Sequence, residues 1–329
     1  MTTLVTGASG FVGSAIVRKL LARGHDVRVL VRKTSCRDNL ETLPIDVFVG
    51  DLTDRDSLRR AVRGCDTLFH VAADYRLWVP EVAKMIEVNV EGTRSLMEIA
   101  GELDVQRIVY TSSVATLGLP KDETPANEDT AVSGEDMIGP YKRSKYDAEA
   151  LVREMATKHG LPVVIVNPST PIGPRDIRPT PTGKIVVEAA SGHMPAFVDT
   201  GLNVVHVDDV AEGHALALER GVVGERYILG GDNLTLEEIL NIIARQTQRK
   251  PPKFKVPHNA VVPMAAMAEA WARLTGKEPF ATLDGVKLAR KKMFFSSERA
   301  MGRLGYRPRP ADRAIADAVS WFQQHNYLH

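Results

Sequence analysis

Residues 6–13 read TGASGFVG and stand between a short apolar run and a helical pattern that begins at residue 11. Glycine has no Cβ, so such a loop can turn tightly and let its backbone N–H groups face a pyrophosphate. At a strand–helix junction this spacing, GxxGxxG, predicts dinucleotide binding, and a glycine turn without a ligand is the alternative. The loop residues expected to contact the cofactor are Gly7, Ser9, Gly10, Phe11, Val12 and Gly13.

Outward from this loop, the first half of the chain alternates short apolar runs with helical patterns. Runs rich in Val and Ile with little alternation are typical of parallel strands buried on both faces. The alternation predicts an α/β fold with a doubly wound parallel sheet, the Rossmann fold. Strands are predicted at 3–6, 27–31, 47–49, 67–71, 107–111 and 163–167, and helices near 11–23, 55–63, 81–101 and 141–159.

The proline-rich stretch NPSTPIGPRDIRPTPTG at 167–183 is too irregular for the interior of an element. We therefore expect a dinucleotide-binding domain over 1–168 and a smaller substrate-binding region over 169–329, some segments of which return to the sheet. Ligands of such folds bind at the carboxyl ends of the strands, so this region would complete a substrate cleft. Its helices are predicted near 184–191, 208–220, 235–247, 257–275 and 310–325.

The length, net charge and cysteine content of the sequence exclude several classes of protein. The chain has 329 residues, with 42 Lys and Arg against 41 Asp and Glu, and a net charge of +1 gives no footprint for nucleic acid. Cys36 and Cys65 have no disulfide or metal-ligand spacing. The start MTTLVTGASG has no signal-peptide pattern, and no apolar run reaches spanning length. We expect a cytoplasmic protein with a small-molecule substrate, no metal and no integral membrane segment; a homodimer is left open.

The end of the second predicted strand bears on the choice of cofactor. NAD-binding folds commonly place a carboxylate there for the ribose hydroxyls, but this chain has Arg32 and Lys33. Cations in that place favour the 2′-phosphate of NADP(H), and the planar guanidinium of Arg32 suits it best. A solvated basic turn is the alternative. Asp51, in GDLTD at 50–54, is expected near the adenine edge.

The sequence YKRSK at 141–145 places Tyr141 and Lys145 on one side of a predicted helix. A phenol with a pKa near 10 is a poor base at neutral pH. A fixed ammonium group nearby favours the phenolate and moves the pKa toward the working range. The pair therefore suggests proton transfer, and a solvated helix face is the alternative.

Six motifs, in order, resemble the extended short-chain dehydrogenase/reductases. They are TGASGFVG, GDL, HVAA (70–73), NVEGT (89–93), YTSSVATLG (110–118) and YKRSK. Further stretches, among them NPSTPIGPRDIRPTPTG and FVDTGLNVVHVDDVAEGH, are similar to the hopanoid-associated sugar epimerase group, which is related to dihydroflavonol reductases.

The resemblance implies a role for each matching residue. Tyr141 matches the proton donor or acceptor, and Lys145 matches the residue that binds the nicotinamide ribose and lowers the tyrosine pKa. Ser113 matches the hydroxyl that hydrogen-bonds the reacting oxygen, and Asn89 matches a position that supports the nearby backbone. We further expect cofactor contacts from Leu52, Ala72, Ala73, Pro168 and Thr170.

Three functions remain open at this stage. The first is an NADP-dependent oxidoreductase or epimerase acting on a sugar or sugar-like molecule in hopanoid biosynthesis. The second is an NADPH-dependent carbonyl reductase of the dihydroflavonol reductase type, which consumes its cofactor. The third is a non-catalytic dinucleotide sensor, which the retention of Tyr141, Lys145 and Ser113 disfavours.

The sequence indicates the substrate less specifically than it indicates the cofactor. Nucleotide-sugar enzymes that this chain resembles commonly carry an arginine where Leu202 and Asn203 stand, so a diphosphate substrate is disfavoured. Candidate substrate contacts are Tyr75, Arg76, Thr170 and Arg175.

Two further segments contain residue types that can bind a ligand. His206, Asp209 and His214 match no strong zinc pattern, and we expect Asp208 or Asp209 to cap a helix instead. The Met-rich segment 261–274 is expected to be a core-facing or lid helix, with a lipid-binding or membrane-contacting surface as the alternative.

Overall fold

The computed structural model of the protein describes residues 1–76, 78–79, 81–276, 279 and 281–328. In chain order the strands are β1 (Thr2–Thr6), β2 (Asp26–Val31), β3 (Asp46–Val49), β4 (Thr67–His70), β5 (Arg107–Thr111), β6 (Val163–Pro168), β7 (Thr170–Ile172), β8 (Ala196–Phe197), β9 (Gly201–His206), β10 (Arg226–Leu229), β11 (Asp232–Thr235), β12 (Phe254–Lys255) and β13 (Lys292–Met293). The α-helices are α1 (Phe11–Ala22), α2 (Arg55–Val62), α3 (Val82–Ile86), α4 (Gly92–Glu102), α5 (Gly139–His159), α6 (Pro181–Ser191), α7 (Val207–Arg220), α8 (Leu236–Thr247), α9 (His258–Thr275), α10 (Leu283–Ala289), α11 (Glu298–Leu304) and α12 (Ala311–Gln324).

A central sheet of seven parallel strands has the order β3-β2-β1-β4-β5-β6-β10. The first six strands follow the order of a doubly wound dinucleotide-binding sheet, which confirms the predicted fold class. In the register, Thr6 lies opposite Leu30 on one side and His70 on the other. The carboxyl ends of these strands, and the loops that follow them, therefore meet at one edge.

Helices cover both faces of this sheet. Alternate residues of a strand point to opposite faces, so Leu4 of β1 belongs to one core and Val5 to the other. The core that contains Leu4 is closed by α2, α4 and α5, and the core that contains Val5 by α1, α7 and α11. Both strand faces are thus buried, which explains the continuous apolar runs in the sequence.

The second half of the chain builds a smaller layer and also returns to the first. A second sheet contains β7, β9, β11 and β13, and α6, α8 and α12 pack against it. β10 joins the central sheet beside β6, and α7 packs against α1. α10 and α11 were not predicted, because seven residues are too few to show a helical period.

A π-helical segment, Glu87–Glu91, joins α3 to α4, where the sequence predicts one continuous helix. Single π turns inside helices are often found at functional sites. Here the segment carries Asn89, whose side chain is buried. The π-helical segment thus lies where the Asn89 side chain contacts the loop after β4.

None of the helices in the described part of the chain is long and apolar enough to cross a membrane. Cys36 and Cys65 are both free thiols.

Candidate active site

The glycine loop lies tightly against its neighbours at the carboxyl edge of the central sheet. Gly7 has φ +69°, and a Cβ there would lie 2.7 Å from the backbone nitrogen of Ala72. A Cβ on Gly13 would lie 2.1 Å from the carbonyl oxygen of Gly7. Side chains are therefore excluded at both positions, and α1 begins directly above the loop.

The amino end of α1 is suited to an anion. Gly10 is its N-cap and provides no side-chain hydrogen bond, and the first turn carries no acidic residue. The N–H groups of a first helical turn have no partner within the helix, and the helix dipole favours negative charge there. The loop and the helix end together form a cradle that fits a pyrophosphate group.

The other residues expected at the cofactor lie along the same edge. Arg32 and Lys33 follow β2 and are exposed, and a turn is closed there by the Arg32 N–H, which donates to Ser35 Oγ at 3.1 Å. The Asp51 carboxylate accepts from the N–H and hydroxyl of Thr53 at 3.0 and 2.9 Å. The remaining positions, Leu52, Ala72, Ala73, Pro168 and Thr170, stand at or just after the ends of β3, β4, β6 and at the start of β7.

A buried hydrogen-bond chain fixes the loop after β4 beneath this cradle. Thr6 Oγ1 accepts from the N–H groups of Val71 and Ala72, both at 3.2 Å, and lies 2.8 Å from His70 Nδ1. On the other side, Thr93 Oγ1 lies 2.8 Å from His70 Nε2 and donates to the Asn89 carbonyl at 2.7 Å. His70 must therefore donate from Nε2 and accept at Nδ1, which makes it a neutral imidazole.

Asn89 links three elements around the site. Its Oδ1 accepts from the Asp74 N–H at 2.7 Å, while its Nδ2 donates to the Asp74 carbonyl at 2.9 Å and to Ser144 Oγ at 3.0 Å. The side chain thus holds the loop after β4 against α5.

A second buried histidine, His214 of α7, lies under the end of β5. Its Nδ1 donates to the Val210 carbonyl at 2.7 Å, so Nε2 accepts from Thr111 Oγ1 at 2.9 Å. Burial lowers the pKa of His214 to about 4 and that of His70 to about 3, with the Lys145 charge adding to the effect at His70.

These two histidines predict loss of stability in mild acid. Their folded pKa values lie below the unfolded value of 6.5, so the unfolded chain takes up protons that the folded chain refuses as the pH falls from 6.5 towards 4. Stability should be full above pH 6.5 and should fall below it, by an amount on the order of a few kcal/mol. Urea titrations between pH 7 and pH 4 would measure this.

The matched variants for this titration are His214→Gln and the exposed His159→Gln. His214→Gln should make the dependence of unfolding free energy on pH shallower by up to about one proton, whereas His159→Gln should leave it unchanged. Equal pH dependence in wild type and His214→Gln would contradict the assignment of a neutral buried imidazole.

Tyr141 projects from the first turn of α5, beside Ser113 at the end of β5. Ser113 Oγ accepts from the Ala115 N–H at 3.1 Å, which leaves its proton available, and its side chain lies close enough to Tyr141 to oppose the rise in the pKa of the phenol. The structure therefore brings together two of the predicted residues, the phenol and the hydroxyl.

The pKa of Tyr141 shifts in the direction opposite to the one expected from the resemblance. Burial raises it, and the hydrogen bond from Ser113 opposes that rise only in part. Lys145 faces Thr111 and Tyr110: its Nζ donates to the Thr111 carbonyl at 2.8 Å and to the Tyr110 hydroxyl at 3.4 Å. The expected lowering of the tyrosine pKa by Lys145 is therefore not observed in this structure.

Lys145 itself is almost fully buried, with 4% of its surface exposed. Loss of hydration lowers its pKa to about 8, and the nearby Glu149 carboxylate opposes the shift. Its ammonium group also lies 4.9 Å from the centre of the Tyr110 ring, within range of a cation–π contact. The amine is thus charged at neutral pH and close to losing its proton above it.

Sequence reasoning missed the buried carboxylate behind the site, Glu149. Its Oε2 accepts from the hydroxyls of Ser112 and Thr116 and from Asn167 Nδ2, the last at 2.8 Å. Its Oε1 pairs with Arg226 Nη1 at 2.9 Å. Glu149 lies eight residues after Tyr141, so both lie on α5, and that spacing is the one signal that could have found it.

Asn167 extends this network to Ser113. Its Nδ2 donates to the Ser113 carbonyl at 3.0 Å as well as to Glu149. The backbone that carries the Ser113 hydroxyl is therefore held from behind by Asn167, Glu149 and Arg226.

Asn203 stands where the nucleotide-sugar enzymes that this chain resembles commonly carry a diphosphate-binding arginine. It is fully buried, and its Nδ2 donates to the Gly231 carbonyl at 2.9 Å, to Asn233 Oδ1 at 2.8 Å and to the Phe295 carbonyl at 3.1 Å. Its amide oxygen accepts from the Gly231 N–H. Every polar atom of this side chain is thus engaged within the protein.

The two candidate loop arginines already have partners. Arg175 forms a salt bridge with Asp208, and its backbone carbonyl accepts from Asn39 Nδ2 at 3.1 Å. Arg76 pairs with Asp74, with 2.9 Å between Nε and Oδ1. A diphosphate would have to compete with these carboxylates.

The expected cap of α7 was wrong. His206, and neither of the two aspartates, is the N-cap, and its Nδ1 accepts from the Asp208 N–H at 3.0 Å. Asp208 pairs with Arg175 and Asp209 with Arg309, so both carboxylates are engaged elsewhere. Among the described residues, no group of three or more His, Cys, Asp or Glu side chains is arranged to hold a metal ion.

Comparison with known proteins agrees with this geometry. The family model described as "NAD dependent epimerase/dehydratase family" matches residues 3–230. A protein of Synechocystis sp. named putative dihydroflavonol 4-reductase is 45% identical over 330 residues, which cover 98% of this chain and 95% of that protein. The sterol demethylase protein B of Methylococcus capsulatus is 34% identical over the full length of both chains.

A solved structure supports the same conclusion. The crystal structure of gox2253 is 54% identical in sequence, covers 100% of this chain and 99% of its own, and superimposes with a TM-score of 0.90. The chain belongs to the NAD dependent epimerase/dehydratase family of extended short-chain dehydrogenase/reductases and is an NAD(P)-dependent oxidoreductase or epimerase.

Proposed function

We propose that the protein uses NADP(H) to interconvert a hydroxyl and a carbonyl group on a small-molecule substrate, with net carbonyl reduction as its main reaction. The placement of Tyr141, on the first turn of α5, beside Ser113, just after β5, carries the proposal, because it brings two hydroxyl groups together at the carboxyl edge of the sheet. Bound nicotinamide would supply the hydride.

Ser113, Tyr141 and Lys145 each have a distinct part in this chemistry. Ser113 positions the carbonyl oxygen, and Tyr141 gives that oxygen a proton from its phenol. Because burial raises the pKa of Tyr141, the phenol is protonated at neutral pH and suited to donate. Lys145, charged below about pH 8, would bind the nicotinamide ribose and help to restore the proton to the phenol.

Two features favour reduction over epimerisation. A protonated Tyr141 is prepared for the reductive direction, and the Synechocystis relative is named a reductase. The second candidate is epimerisation of a sugar or sugar-like molecule in hopanoid biosynthesis, which the motif resemblance supports and which uses the same residues. Steady loss of NADPH absorbance with substrate present supports reduction, whereas product without NADPH loss supports epimerisation.

Cofactor choice should follow Arg32 and Lys33. Replacing both with Gln should weaken NADPH binding at least tenfold and change NADH binding little, because only NADPH carries a 2′-phosphate and each charge-assisted hydrogen bond contributes about 1.5–3 kcal/mol. Fluorescence titration of both cofactors measures this, with Arg153→Gln on α5 as a control that removes a positive charge elsewhere on the protein. Tighter binding of NADH than NADPH by the wild type would refute the NADP assignment.

The substrate should lack a diphosphate group. We propose that residues 169–329 form the substrate-binding region, in which Asn203 is fully engaged and Arg175 is paired with Asp208. Neither Asn203 nor the paired Arg175 offers a diphosphate an unengaged cation to offset its desolvation. Calorimetry in the presence of NADP⁺ should therefore find UDP binding weaker than about 1 mM. Micromolar binding of UDP that is lost in Arg175→Ala or Arg76→Ala would restore a nucleotide-sugar substrate.

A further inference from the structure

The helix α9 turns its largest side chains toward solvent. Met264, Met267, Trp271 and Leu274 are 48, 66, 66 and 83% exposed. At about 100° per residue these four positions fall on one side of the helix. Pro263, Ala266 and Ala270 are exposed on the same side, and these seven described residues, called here the α9 face, are all uncharged.

The described residues of α9 that are fully buried lie on its opposite side and are all alanines. Ala265, Ala268 and Ala272 are buried, with 0, 8 and 1% of their surfaces exposed. A helix that served only to cover a core would place Met, Trp and Leu inward and Ala outward. This reversal indicates that the large side chains have a partner outside the chain.

Glu269, the one acidic residue of α9, does not face solvent with the large side chains of the α9 face. Glu269 Oε1 accepts from the Leu283 N–H, at 2.7 Å, and so caps the start of α10. The α9 face is consequently left free of negative charge.

The segment around α9 is strongly basic, although the whole chain has a net charge of only +1. Residues 249–292 hold ten Lys and Arg against three Asp and Glu, a net charge of +7. Lys250, Lys253 and Lys291 are exposed and form no salt bridge with any described residue. The exposed Phe254 lies between two of the lysines of this segment.

α9 and α10 are held together and placed beside the candidate active site. His258 Nε2 donates to the Ala289 carbonyl at 3.0 Å, and Arg290 donates to Asn259 Oδ1 at 2.7 Å. Asp284 of α10 meets α5 at its first residue, since a Cβ on Gly139 would lie 3.1 Å from Asp284 Oδ2. Tyr141 lies two residues after Gly139 on α5, so α9 and α10 lie at the edge of the candidate active site.

We propose that the α9 face docks the protein on the surface of an anionic lipid bilayer. Exposed aromatic and aliphatic side chains enter the boundary between headgroups and acyl chains, and nearby Lys and Arg side chains attract anionic headgroups. The basic residues lie on the segments that flank the helix, which is why the helix sequence by itself lacks a basic face. Docking in this way brings the edge of the active site to the bilayer, where an amphipathic substrate would be found.

Flotation of the full-length protein with lipid vesicles tests this directly. Wild type should bind vesicles of phosphatidylcholine with about one third phosphatidylglycerol at least tenfold more tightly than vesicles of phosphatidylcholine alone, and the difference should shrink in high salt. The double variant Met267→Ser/Leu274→Ser should bind the anionic vesicles at least tenfold more weakly. Binding is read without turnover, so its failure and a failure of the proposed chemistry are separate results.

Two further variants make the result specific. Met301→Ser removes an exposed methionine on α11 and should bind as wild type. Trp271→Phe should bind the vesicles but lose the blue shift of tryptophan emission that wild type shows on binding. No binding of wild type to anionic vesicles, or equal weakening by Met301→Ser, overturns the proposal. So does a wild-type dimer in analytical ultracentrifugation that Met267→Ser/Leu274→Ser converts to monomer, because a second copy would then cover the α9 face.

Discussion

Replacing Tyr141 by Phe is expected to lower turnover by a factor of about 10² to 10⁴, the range that a positioned proton donor contributes. The phenol oxygen lies beside Ser113, and no other residue on the first turn of α5 carries a hydroxyl. Cofactor binding depends on the glycine loop and the amino end of α1, which lie on other elements. The affinity for NADPH should therefore stay within a factor of about two of wild type.

Steady-state kinetics and NADPH titration on the same preparations separate these two effects. Tyr146→Phe is the matched control, since it removes a hydroxyl from the same helix without touching Ser113. It should retain turnover within a factor of about two. If Tyr141→Phe also keeps turnover within a few-fold of wild type, the proton is delivered by another group and the assignment of Tyr141 is wrong.

The second large effect is on stability, at Glu149. Glu149→Ala should lower the free energy of unfolding by about 3–5 kcal/mol, because it leaves the mostly buried Arg226 guanidinium without its carboxylate. The donors of Ser112, Thr116 and Asn167 lose their shared acceptor at the same time. Glu149→Gln keeps one oxygen as an acceptor and should cost less.

Urea unfolding of the three proteins gives the comparison. Glu154→Ala lies on the exposed side of the same helix, where Glu154 pairs with Lys158 at 2.8 Å. That control should change the free energy of unfolding by at most about 0.5 kcal/mol. A loss below about 1 kcal/mol in Glu149→Ala would mean that the network is hydrated or relaxes, and that it does not hold Ser113 in place.

The central sheet could be predicted from the sequence because its signals are local. TLVTGASGFVG, residues 3–13, specifies a strand, a turn and the start of a helix in eleven residues, and further pairs of strand and helix follow up to β6. The cofactor edge follows from that topology, since parallel strands end on one side. The position of the glycine loop at that edge could therefore be predicted from the sequence.

The parts that could not be predicted depend on contacts between distant residues. Glu149 reads as one more charged residue of a helix until Arg226, 77 residues away, is placed beside it. The pKa of Tyr141 depends on burial and on where the Lys145 ammonium points, and neither is visible in the spacing of YKRSK. The cap of α7 was assigned to an aspartate by propensity, but ion pairs with Arg175 and Arg309 engage both carboxylates.

The sequence shows that α9 contains large side chains, but it does not show whether those side chains face the core or the solvent. Met264, Met267 and Trp271 would suit a core as well as a surface. Only the burial of Ala265 and Ala272 on the opposite side decides between the two.

Transfer of deuterium from NADPH labelled at C4 of the nicotinamide tests the central claim most directly. The wild-type protein would be incubated with each C4 stereoisomer and a set of ketones that includes a dihydroflavonol, a 3-oxosteroid and a neutral keto-sugar, and the products analysed by mass spectrometry. The account predicts one deuterium per product molecule, from one stereoisomer only, at a rate at least about 100-fold lower in Tyr141→Phe. Transfer at the same rate in Tyr141→Phe, or none from wild type that binds NADPH, would contradict it.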